Sequence, residues 1–108
     1  MSKKVENLLK EGLSIEQEAK AVTAAIIALR QRHGENDLAV EFAQELTVMQ
    51  KKREGIETMI DSLKNGDVRN IFKSRYLDGQ TWEDVSENCY ISLAHVYRLH
   101  KKGLEELS

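Results

Sequence analysis

Residues 81–107 read TWEDVSENCYISLAHVYRLHKKGLEEL, and the fold turns on how this stretch is parsed. Thr81 with Asp84 three residues on is a capping-box pattern, so a short helix starts here and runs to about Asn88. CYIS (89–92) makes the turn, and Ser92 is placed to cap a last helix over about 92–107. Two short helices joined by a tight turn need inward apolar residues on both helices and in the turn. They also need a small residue where the helices approach. Val85 and Cys89 fill the first helix, Ile91 the turn, Val96 and Leu99 the second helix, and Ser86 is the small residue. The stretch therefore reads as a helix-turn-helix.

Removing those core positions leaves Ser92, Leu93, Ala94, His95, Tyr97, Arg98, Lys101 and Lys102 facing outward on the last helix. No carboxylate interrupts them before Glu105, and residues 92–102 carry a local charge of +3. In this motif the early part of the second helix enters the major groove. Leu93 and Ala94 suit thymine methyl groups, and Arg98 suits the O6 and N7 of guanine. Tyr97, Lys101 and Lys102 are assigned to phosphates, with Thr81 and Trp82 where the backbone passes. The bland readings stand beside these: a solvated basic face for Arg98, Lys101 and Lys102, and a core role for Trp82.

Upstream, LKNGDVRN (63–70) separates this unit from what precedes it. Gly66 fits the position after a helix and Asp67 the next N-cap. A third helix then runs to about Leu77, with Val68, Ile71, Phe72 and Tyr76 on the side that roofs the motif, and Gly79 stops it. Further back, Leu8, Gly12, Ile15, Ala19, Val22, Ile26 and Leu29 alternate spacings of four and three, which is a heptad seam. That helix begins near Ser2 or afresh at Ser14, with a weak spot at Gly12; one continuous helix is favoured. RHGEND (32–37) breaks the pattern, with Gly34 as C-terminal cap and Asn36 or Asp37 as the next N-cap. A second seam follows through Phe42, Leu46, Met49, Arg53, Ile56, Ile60 and Leu63, and a charge at Arg53 suits a register-fixing role. Two seams joined by a short polar loop make an antiparallel, coiled-coil-like hairpin. The expectation is an all-α chain: a helical hairpin arm over 1–65, able to pack on itself or to dimerise, then a three-helix unit containing the helix-turn-helix over 66–108.

Composition agrees with this and narrows the function. The 108 residues hold no proline and six glycines, so only Gly12, Gly34, Gly55, Gly66, Gly79 and Gly103 punctuate an otherwise helical chain. Net charge is −2, and neither half is basic, so any DNA contact is confined to the short basic stretch. Cys89 is the only cysteine, which excludes an internal disulfide and a cysteine-cluster metal site. His95 and His100 are five apart and do not share a helical face, so no metal is expected, and no cofactor. No glycine-rich phosphate loop and no catalytic grouping is present, so no enzyme is expected. No apolar run approaches the roughly 20 residues of a membrane span, and a cytoplasmic protein is expected.

The tail also resembles region four of bacterial sigma factors, and more closely the small phage and prophage proteins of Gram-positive bacteria that carry that fold. The resemblance rests on Arg75-Tyr76-Leu77, Thr81-Trp82-Glu83, Ser92, Val96 to His100, and Leu104 to Glu106, over about residues 68–107. It implies a late-gene transcription regulator of the ArpU or RinA type. One departure is clear: that family places glycine in the left-handed turn position where this chain has Tyr90. A non-glycine residue there costs roughly 1 kcal/mol or rearranges the turn.

The resulting expectation is a sequence-specific, dimeric regulator that binds double-stranded DNA and contacts RNA polymerase. The alternative is a module that binds no DNA and docks on the polymerase or a sigma factor; the net acidity and the heptad arm motivate it.

Overall fold

The computed structural model describes residues 3–108 and is all-α. Helix α1 spans Lys3–His33, α2 Asp37–Asp61, α3 Gly66–Phe72, α4 Trp82–Cys89 and α5 Leu93–Leu107. A π-helical turn, Lys73–Leu77, extends α3. No helix among the described residues is long and apolar enough to cross a membrane.

Short polar side chains start four of the five helices. Asn36 accepts from the Ala39 amide, Asn65 from the Asp67 and Val68 amides, Thr81 from the Asp84 amide and Ser92 from the His95 amide. Each satisfies a donor that the helix itself leaves unpaired. The cap of α3 is thus Asn65, and Asp67, expected in that role, lies inside the first turn. Gly66 likewise opens α3 instead of following α2. The Asn65 side chain reaches both amides from two residues before Asp67.

The hairpin forms as expected, with one shift. Leu9 is fully buried, whereas Leu8, the expected first seam residue, is 39% exposed. The first turns of α1 pack under the C-terminal unit as well as against α2, and this rotates the buried stripe. Helix α1 runs unbroken through Gly12 and Ser14; Ser2 lies outside the described residues. Arg53 pairs across the hairpin with Glu16 at 3.6 Å and along α2 with Glu57 at 3.7 Å.

Leu9, Ile15, Ile56, Ile60, Leu63, Val68, Ile71, Phe72, Tyr76, Leu77, Val85 and Val96 form one buried cluster. It joins the base of the hairpin to the three-helix unit. Two glycines make this possible, and neither punctuates. A Cβ on Gly12 would lie 2.9 Å from the Tyr76 carbonyl oxygen, so the π turn rests directly on the α1 backbone. A Cβ on Gly103 would lie 2.3 Å from the Phe72 ring, so α5 passes through Gly103 in direct contact with α3. The wider π turn carries the chain from α3 onto α1 before Gly79, at φ +70°, turns it into α4.

Gly103→Ala is expected to drive a methyl group into the fully buried Phe72 ring. The overpacking cost exceeds the helix-propensity gain, leaving a net loss of roughly 2 kcal/mol and a fall in Tm on the order of 10 °C. Thermal unfolding followed by circular dichroism measures it; a Tm at or above the parent value would refute the close contact.

Candidate nucleic-acid interface

Helices α4 and α5 are joined by Tyr90, Ile91 and Ser92. Tyr90 has φ 58° and ψ 37°, the left-handed conformation, and is the one non-glycine residue with positive φ among those described. Its side chain is 93% exposed, so no packing contact offsets the strain. What holds the turn is polar. The Ser86 hydroxyl donates to the Ile91 carbonyl at 2.5 Å, and the Ile91 amide donates to the Ser86 carbonyl at 3.2 Å. Ser86 is therefore a staple for the turn as well as a small residue. Val85 and Val96 are fully buried, and Cys89, Ile91 and Leu99 pack against the core, as the sequence spacing implied. Burial pushes the Cys89 thiol up, which makes it a less ready nucleophile.

The residues singled out on α5 fall into three groups. Ala94, Arg98 and Lys101 recur at spacings of four and three on the exposed side, with exposed Tyr97 beside them. Leu93 is half-buried at the start of the helix, and Ser92 is exposed with its hydroxyl engaged in the cap. His95 and Lys102 flank the other edge. His95 lines a cleft of about 700 Å³ between α3 and the α4–α5 turn, with Asn65, Asp67, Asn70 and Asn88. Lys102 borders a smaller groove against Leu63 and Val68. Thr81 is exposed at the start of α4, spending its side chain on the cap.

Trp82 is half-buried at the centre of an aromatic cluster. Its ring meets His100 at 4.6 Å, Tyr97 at 5.6 Å and Tyr76 at 6.4 Å, all edge-on. The Arg75 guanidinium lies 4.8 Å over the same ring and donates to the Gln80 carbonyl at 2.9 Å. Trp82 thus buttresses α5 from one side and is only partly exposed beside Thr81. Sequence spacing does not reveal this cluster, because its members come from three separate elements. Nor does it reveal that Glu6 and Lys10 of α1 line a groove of about 330 Å³ with Arg75, Trp82, Tyr97 and His100. That groove places the base of the arm beside α5.

The Tyr76 hydroxyl and His100 Nε2 are 2.6 Å apart. Burial pushes the Tyr76 phenol up to about 12 and holds the His100 imidazole below its ordinary value of 6.5. Both shifts favour the neutral forms, and which group donates follows from the imidazole tautomer. A histidine whose proton affinity is lower in the fold than in the open chain favours the fold above pH 6.5. That contribution is lost as the pH falls through the folded value. His100→Phe is expected to flatten the decline of Tm between pH 7 and pH 5, measured by thermal scans against the parent; equal declines would exclude His100 as the source. Tyr90→Gly is expected to raise stability by about 1 kcal/mol by relieving the left-handed strain. Urea unfolding would expose the opposite outcome as a lower midpoint.

No curated protein and no solved structure matches this chain. A family model described as protein of unknown function (DUF1492) matches residues 36–108, which take in α2 and the whole three-helix unit, and the chain belongs to that family.

Proposed function

We propose that the protein is a sequence-specific, double-stranded DNA-binding transcription regulator with α5 as its recognition helix. The observation that carries this reading is the outward side of α5. Ala94, Arg98 and Lys101 stand in a row with Tyr97 beside them, and no carboxylate lies between Glu87 and Glu105 in an otherwise acidic chain. A guanidinium and an ammonium on a helix held rigidly by packing are suited to base edges and phosphates respectively. Arg98 reads a guanine; Lys101 and Tyr97 meet phosphates; Ser92, Leu93 and Ala94 enter first; Thr81 and the edge of Trp82 sit at the flanking strand. His95 and Lys102 lie at the far edge and contribute less. The resemblance of residues 68–107 to sigma region four and to ArpU- and RinA-type phage regulators supports the same reading. It extends that reading to a phage or prophage role, a cytoplasmic setting, a homodimer and a contact with RNA polymerase.

A docking module without DNA binding is the second reading. The net charge of −2 and the open cleft between α3 and the α4–α5 turn favour it. Selection from random duplex DNA at low salt separates the two. Enrichment of one motif is expected. Arg98→Ala should cost about 1–3 kcal/mol on that motif and relax one position, whereas Lys101→Ala should weaken all sequences alike and lower the salt slope by about 1. No enrichment at low salt would leave the docking module standing.

A further inference from the structure

Helix α2 carries a second stripe beside its inner seam. Met49, Arg53, Ile56 and Ile60 face α1; Val48, Lys52, Gly55 and Met59 repeat the same four–three spacing one residue earlier. A helix with two adjacent seams is built for two neighbours, and within this chain the arm supplies one. The outer stripe opens onto a groove of about 320 Å³ whose far wall is Leu8 and Glu11 of α1. Val48, at 56% exposed, continues it along α2.

Gly55 is the telling residue. A glycine inside a helix costs stability relative to alanine. The internal helix glycines Gly12 and Gly103 each admit a neighbour from this chain, but a Cβ on Gly55 would meet nothing within 4 Å. Its missing side chain serves no contact inside the molecule.

We propose that this groove is a homodimer interface. Its occupant is the same face of a second copy, related by a two-fold axis through the groove. Charge complementarity selects that occupant. Glu11 and Lys52 face each other across the groove, and neither forms an ion pair among the described residues. A two-fold axis parallel to the helices and between them lays α2 of one copy antiparallel along α1 of the other. That register sets Glu11 against Lys52 twice and Leu8 against Gly55 twice, with Gly55 letting the partner's α1 come close. A self-complementary patch of this kind is what an isologous interface requires. The inference gives the homodimer part of the reading above a definite surface, and it stands whether or not the chain binds DNA.

Sedimentation velocity on the full chain tests it. The parent protein is expected to be a dimer. Glu11→Lys or Lys52→Glu alone should weaken self-association by on the order of tenfold or more, because each places like charges together at both ends of the interface. Mixing the two variants should restore a dimer, since every pair across the axis is then of opposite charge. Gly55→Arg should give a folded monomer, its helix content checked by circular dichroism. A parent that stays monomeric, a dimer that survives Gly55→Arg, or a mixture no tighter than its components would each overturn the proposal. DNA selection run on the same samples reports separately on the DNA reading.

Discussion

The contact between the Phe72 ring and the backbone of α5 at Gly103 is the constraint on which the rest of the structure depends. The ring is fully buried, and it is reached because Gly103 has no side chain. A second contact of the same kind, Gly12 against the Tyr76 carbonyl, seats the π turn on α1. Between them, α3 and its π-helical extension become the piece that both the arm and α5 pack against. Interiors pack densely, so an added methyl group at either glycine displaces a helix instead of filling a void. The position of α5 relative to the arm is thus decided inside the core, far from the surface that the helix presents.

That arrangement separates the two sides of α5. Val96 and Gly103 are buried, His100 is locked among aromatic rings, and what remains outward is a small set of residues with basic character. The polar ties at the margins fix the ends. The Lys64 amide donates to the Glu106 carboxylate at 3.0 Å, joining the end of α5 to the link between α2 and α3. Arg69 donates to the Leu63 and Lys64 carbonyls in the same link. Arg69 and Glu106 therefore act as internal fasteners, as Arg75 and Tyr76 do in the aromatic cluster, while Arg98 and Lys101 stay exposed.

Local signals were legible where the physics is local. Asn36, Thr81 and Ser92 cap the helices expected of them, because a cap needs only its own residue and the next three. The left-handed turn at Tyr90 also sits where the resemblance implied it, held by Ser86. Misreadings arose where one residue type has two opposite uses. Glycine ends helices and also admits close neighbours, and Gly12 and Gly103 do the second. Asn65 and Asp67 are both good caps, and only the path of the linker chose between them. Leu8 and Leu9 compete for one seam, and the C-terminal unit, lying over the first turns of α1, buried Leu9.

By itself the sequence determined the helices, the starts of α2, α4 and α5, the heptad hairpin, the apolar positions of the α4–α5 turn and the acid-free side of α5. All of these depend on periodicity or on neighbours within a few residues. Tertiary structure alone decided that Trp82, His100, Arg75 and Tyr76 form one cluster, that the base of the arm lies beside α5, and that a second stripe on α2 remains uncovered. Those facts depend on which backbones can touch. That is set by two glycines and a π-helical turn, whose meaning appears only when distant segments meet.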